Sequence, residues 1–254
     1  MTRWIRYRYD GREGFGRLDG ETILVHEGDL FGAPVPTGRS LPLAEVRVDL
    51  PCRPSKLIAL WNNFRSMAEK QNLAHPQAPL FFVKPPNSYA AHGETVAMPE
   101  AAGRVLYEGE LGIVIGRRGR DLTPAAAADH IFGYTCLNDV TSLDILRADE
   151  SFPQWTRSKG LDGFSPFGPV IATDLDPDAA RVVVRLDGQE RQNYPLSDMI
   201  YSPREVVAMI SQGLTLEPGD VIACGTSNGA GTIKRGMRVE VEIAGIGVLE
   251  NRFA

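Results

Sequence analysis

A chain of 254 residues with 43% hydrophobic and 23% charged residues has the balance of an ordinary globular protein, which argues against general disorder or a fibrous repeat. Its formal charge of −5, with Lys and Arg scattered, leaves no basic face for phosphate backbones; nucleic acid is excluded and a small-molecule ligand favoured. No apolar run reaches the roughly 20 residues that span a bilayer, and the opening MTRWIRYRYDGREG has no hydrophobic signal core, so a cytosolic protein is expected and no membrane partner.

In chain order, residues 3 to 26 read as short strands broken by the turn sequences DGREG and LDGE. The stretch FGAPVPTGRSLPL (31 to 43) is dense in Pro and Gly and predicts an extended linker. A boundary near residue 50 then separates a small β-rich N-terminal region (1–50) from the main domain (51–254). A helix is expected from about Asn62 to Leu73, followed by strands at LFFVKP and VLYEGELGIVIG. Thr123 and Pro124 supply an N-cap and a first-turn proline for a helix that Gly133 can end. GYTCLNDVTSLDIL reads as a strand meeting a short helix. RVVVRLDG, DVIACG and RVEVEIAG are strand-like, and Ser202-Pro203-Arg204-Glu205 is a capping box that opens a further helix. Strands outweigh helices without a repeated βαβ spacing, so the expected class is α+β, mainly β, in a roll with short flanking helices. Cys52, Cys136 and Cys224 are odd in number and far apart, as expected of free buried thiols.

One pair of acids stands out. Glu108 and Glu110, two apart in a strand-like run, belong on one face, where unit charges roughly 5 Å apart repel by about 3 kcal/mol at an effective dielectric of about 20. Bulk water or a shared cation must offset that repulsion. Asp139, at the strand-to-helix junction, reads alone as an N-cap. With the two glutamates it completes a set of hard oxygen donors suited to Mg²⁺, an ion that keeps positions open for water or substrate.

The blocks YEGELGIVIGR, GYTCLNDVT, WTRSKGLDGFSPFGPVI, RQNYPLSDMIYS and LTLEPGDVIACGTSNGAG, in this order, resemble the fumarylacetoacetate hydrolase superfamily over roughly residues 54 to 253. The resemblance implies a β-rich catalytic fold, a homodimer, and Mg²⁺ or Mn²⁺ held by Glu108, Glu110 and Asp139. It also implies an active-site lysine at Lys159, in a Gly-flanked loop, and substrates that are 2-oxo or 2,4-dioxo acids. Gly225 and Thr226 match a segment that offers donors to a substrate carboxylate, and Gln192 and Ser197 fall in a substrate block.

Two departures bear on the reaction. Hydrolytic members carry a water-activating histidine where this chain has Met67, which cannot accept a proton; Glu69 is the available substitute, with His75 and His92 as more distant ones. Leu143 and Leu146 stand where members often carry arginine and glutamine. That implies either a more apolar substrate tail or a carboxylate held elsewhere, with Arg65 as candidate. The expected activity is hydrolysis of a C–C bond in an acylpyruvate-type acid. Met67 favours the alternative of a decarboxylase, isomerase or hydratase, which needs mainly a metal-polarised carbonyl. A fold retained only for metal or metabolite binding is the reading from another class.

Overall fold

The computed structural model describes residues 1–254. Its main sheet runs in the order Val35–Pro42, Thr22–Glu27, Arg12–Asp19, Arg3–Tyr9, Ser165–Ala172, Ile131–Asn138, Gly109–Ile115, Val221–Ala223, Leu57–Trp61 and Leu80–Lys84. Short strands at Arg47–Val48 and Tyr89–Ala90 attach to it, and pairing along the main order is antiparallel except between Val221–Ala223 and Leu57–Trp61. A second, five-stranded sheet holds Gln189–Pro195, Arg181–Leu186, Arg238–Ile243, Gly247–Phe253 and Thr95–Val96. The third sheet is small: Thr141–Ser142, Val105–Tyr107 and Gly231–Ile233.

The burial of each strand explains its sequence. Gly109–Ile115 is buried at every position, so apart from Glu110 it reads as an apolar run. Arg181–Leu186 and Arg238–Ile243 bury alternate residues, with charges such as Arg185 and Glu240 on the less buried face, as one-sided strands do. Side chains of both large sheets join one core, which includes Ile113, Val184, Val241 and Leu249. The mainly β class is therefore the observed one, and the three cysteines are free and buried.

Several local expectations need revision. VLYEGELGIVIG is two strands in different sheets, broken at Glu108, so the two glutamates do not share one strand. Residues 35 to 42 form an edge strand on Thr22–Glu27, where Pro36 is tolerated because only one side is paired. The helix after Thr123 ends at Ala128, and Gly133 lies inside the next strand. There a Cβ would come within 2.5 Å of the Ala172 carbonyl oxygen, which only glycine avoids. The helix expected over 62–73 covers Arg65–Gln71 and lies between Asn62 and Asn72, both left-handed, at φ 58° and 53°. In the capping-box helix Pro203–Ile210, the Glu205 carboxylate accepts from Ser202 N–H at 2.8 Å, as its sequence requires.

Candidate active site

The break at Glu108 builds the site. Leaving the small sheet, the chain is caught by Asn138: Glu108 N–H donates to Asn138 Oδ1 at 2.9 Å, and Asp139 N–H donates back to the Glu108 carbonyl at 2.8 Å. The intervening Gly109 is held on both sides of its peptide. Its N–H donates to Gln192 Oε1 at 3.1 Å, and its carbonyl accepts from Tyr194 OH at 2.5 Å and Thr226 Oγ1 at 2.9 Å. A Cβ at position 109 would lie 2.2 Å from Val184 Cγ2, so glycine permits the close approach of the two large sheets here. With these anchors, the carboxylates of Glu108, Glu110 and Asp139 converge, each offering an oxygen within 4.8 Å of the others.

Two lysines share this space. Lys159 Nζ donates to Glu108 Oε2 at 2.6 Å and to Asp139 Oδ2 at 2.5 Å. The other Asp139 oxygen accepts from Lys84, which also donates to the Phe164 carbonyl at 2.8 Å. Glu108 accepts from Thr141 Oγ1 at 2.9 Å, and Glu110 accepts from Gly225 N–H at 2.8 Å. Burial, reinforced by the Asp139 and Glu108 charges, pushes the Glu110 carboxyl well above the usual carboxylate range. For Asp139, burial acts in the same sense but the two lysines outweigh it, and its pKa is lowered. Burial also works against the Lys159 ammonium, yet Asp139 and Glu108 overcome it and hold the lysine protonated. Lys84 is the reverse: burial dominates and lowers its pKa despite Asp139.

These residues fit a divalent cation. All three donors are hard carboxylate oxygens, the set that Mg²⁺ or Mn²⁺ takes. Glu110 is 1% exposed and faces no cationic side chain within hydrogen-bond reach, so its charge is costly unless an ion shares it. Three carboxylates against two ammonium groups leave the cluster one negative charge when all are ionised. A divalent ion would turn that into one positive charge, matched to an anionic substrate.

The cluster lies in a cleft of about 860 Å³. Besides the three acids and Lys159, Thr226 lines it, as do Leu143, Leu146 and Met67. The other sequence candidates are placed differently. Gln192 is buried with both ends of its amide committed to Gly109, Thr226, Ser227 and Asn228, and Gly225 spends its N–H on Glu110. Both therefore shape the site from behind. Ser197 is exposed in a short 3-10 turn away from the cleft, and Arg65 donates to the carbonyls of Met199 and Ile200. Glu69 is exposed and does not line the cleft, although Met67, Lys70 and Gln71 of the same helix do. His75 is exposed, and His92 accepts from Glu250 N–H at 3.1 Å in a separate groove. Lys159 is the last residue of a helix, Trp155–Lys159, and not a loop residue. Sequence reasoning missed Lys84, Thr141 and the aromatic group Trp61, Phe82 and Trp155. Phe82 and Trp155 stack at 5.3 Å, and Lys159 Nζ lies 5.1 Å from the Phe82 ring centre.

The model of the fumarylacetoacetate hydrolase C-terminal domain matches residues 56–254, and an N-terminal model described as Rv2993c-like matches residues 2–51. The oxaloacetate tautomerase YisK of Bacillus subtilis is 35% identical over 226 residues, which cover 83% of this chain and 74% of that protein. The structure of a 2-hydroxyhepta-2,4-diene-1,7-dioate isomerase from Mycobacterium marinum superposes with a TM-score of 0.92 at 36% identity, covering 100% of this chain and 98% of that one. A fumarylpyruvate hydrolase from Pseudomonas aeruginosa, solved with Mn²⁺ and pyruvate, gives 0.74 at 28% identity over 86% of this chain and 92% of its own. With the family model matched across the whole region that builds the acidic cluster, this chain belongs to the fumarylacetoacetate hydrolase family.

Proposed function

We propose that the protein is a divalent-metal-dependent isomerase that interconverts the enol and keto forms of a 2-oxo acid. The observation that carries this reading is the make-up of the cleft: three carboxylates and a protonated Lys159 meet there, and no histidine lines it. Met67 occupies the lining in place of a base, its sulfur accepting from Gln71 Nε2 at 3.1 Å, while Glu69 stays outside. The relatives named as a tautomerase and an isomerase act in the same sense.

Glu108, Glu110 and Asp139 would hold Mg²⁺ or Mn²⁺, and Thr141, Gly225 and Lys84 fix the orientation of those carboxylates. The ion, when bound, withdraws electron density from the 2-oxo group of the substrate. Lys159, though hydrogen-bonded to Glu108 and Asp139, keeps its ammonium charge in the cleft lining, and that fixed positive charge would stabilise the oxyanion as it develops. In the reaction the enol oxygen gives up its proton to solvent water and the neighbouring carbon takes one from solvent water, so protons and charge balance. No bond to water is made, so no water-activating base is required.

Hydrolysis of a C–C bond, the first expectation from sequence, ranks behind this reading because it needs such a base, typically worth roughly 10² to 10⁴ in rate. Decarboxylation of a β-oxo acid ranks between them. Product analysis separates the three: accelerated loss of the enol with no new acid and no CO₂ supports the isomerase, whereas two carboxylic acids from an acylpyruvate, or CO₂ from oxaloacetate, replaces it. The reading includes a homodimer in a reducing compartment. Leu80, Phe81 and Val83 are exposed on the last strand of the main sheet, an apolar edge of the kind that association covers, and sedimentation of the purified protein tests it.

A further inference from the structure

A pyruvate unit fills only a small part of a cleft of about 860 Å³, so the remaining walls decide what else the substrate carries. One part of those walls, beside the acidic cluster, is apolar. Leu106, Leu143 and Leu146 line the cleft with Trp61, Phe82 and Trp155, the last two stacked on each other. Leu143 and Leu146 come from one turn of helix that begins four residues after the ligand Asp139, so they stand close to the metal ligands. The buried cations of the site are already committed: Lys159 to Glu108 and Asp139, and Lys84 to Asp139. Arg65 is bound to the Met199 and Ile200 carbonyls. The two other cations in the lining, Lys70 and Arg147, are solvent-exposed, and the acids Asp149 and Glu150 line the same cleft.

A second carboxylate packed against the leucines and indoles would leave water with no buried, uncommitted cation to receive it, and that desolvation is unfavourable. An alkyl or aryl group would gain from the same move. We propose that the substrate is a monocarboxylic 2-oxo acid with an apolar tail, and that Leu143 and Leu146 set this preference. The inference rests on the 2-oxo acid reading above but concerns the tail alone.

The test is equilibrium binding to the Mg²⁺-loaded protein, with turnover followed in parallel. Phenylpyruvate and 4-methyl-2-oxopentanoate are expected to bind at least roughly tenfold more tightly than oxaloacetate, the discrimination that a small difference in buried apolar group provides. Leu143→Arg should cut that ratio by about tenfold or reverse it, and Leu146→Gln should move it in the same direction if the arginine variant does not fold. Oxaloacetate bound as tightly as phenylpyruvate by the unaltered protein, or a ratio unmoved in a folded variant, overturns the inference. Absence of tautomerisation with every acid, while the apolar acids still bind preferentially, overturns the isomerase reading and leaves the tail preference standing. Absence of binding by every 2-oxo acid overturns both.

Discussion

Lys84 and Asp139 form an ion pair whose side chains are 0% and 1% exposed, at the acidic cluster of Glu108, Glu110 and Asp139. The lysine ends an edge strand and reaches inward, where it also satisfies the Phe164 carbonyl. It occupies one oxygen of Asp139 while Lys159 approaches the other, which fixes the plane of the carboxylate. Breaking a buried pair leaves an uncompensated charge, at a cost of about 3 to 5 kcal/mol. Lys84→Met should therefore lose about that much stability in urea unfolding, and Mn²⁺ affinity by calorimetry should fall roughly 10- to 100-fold, as for other groups that orient a ligand. Unchanged affinity in the folded variant would mean that Asp139 needs no such brace.

Glu110 carries a different liability. Its raised pKa reflects burial first and then the neighbouring Asp139 and Glu108 charges. Glu110→Gln keeps an acceptor for the Gly225 N–H and removes the charge. Metal-dependent turnover should drop on the order of a thousandfold, since a metal Lewis acid contributes several kcal/mol to the transition state. Measured without added metal, thermal stability should be equal to or above that of the unaltered protein. A variant that unfolds more readily would show that the glutamate is chiefly structural.

Gly109 links sheet packing to chemistry. A methyl group there meets Val184 Cγ2 at 2.2 Å, and Val184 is a fully buried core residue. Gly109→Ala should cost about 1 to 3 kcal/mol, the usual penalty of overpacking, and weaken metal binding by displacing the flanking glutamates. Combining it with Val184→Ala should restore metal affinity more than stability. Failure of that rescue would place the strain in the backbone.

His92 gives a pH dependence independent of the acidic cluster. Its Nδ1 accepts from Glu250 N–H, so the folded state needs the neutral ring, and burial lowers its pKa in spite of Glu250. Because the folded value lies below the unfolded one of about 6.5, its contribution is complete above that pH and is lost as pH falls through the folded pKa. His92→Asn retains an acceptor that does not titrate, and its unfolding free energy should fall less than that of the unaltered protein between pH 7.5 and 5.5. Parallel curves for the two proteins would contradict the assignment.

The residues that were legible in the sequence are those whose chemistry is carried by local spacing. Glu108 and Glu110 announce themselves as charges in an apolar run, and Asp139 by its junction; the structure brings all three together. The capping box at Ser202 is legible because both of its partners lie within one turn. Lys84 was not, because Leu80–Lys84 shows no alternation, with Leu80, Phe81 and Val83 outside, so nothing local marks the lysine as an inward residue. Nor could sequence alone separate Gln192 as a brace from Gln192 as a substrate contact; that depends on Gly109, 83 positions away, and on the turn at Ser227. The break at Glu108 is equally non-local, since Asn138 on the neighbouring strand imposes it.

The convergence of three carboxylates on one divalent ion is tested most directly by anomalous diffraction from crystals equilibrated with Mn²⁺. A single strong peak is expected between Glu108, Glu110 and Asp139, with oxygen distances near 2.0 to 2.2 Å, about those of a Mg²⁺-like site. No peak at that point under saturating Mn²⁺, with the three side chains well ordered, would contradict it.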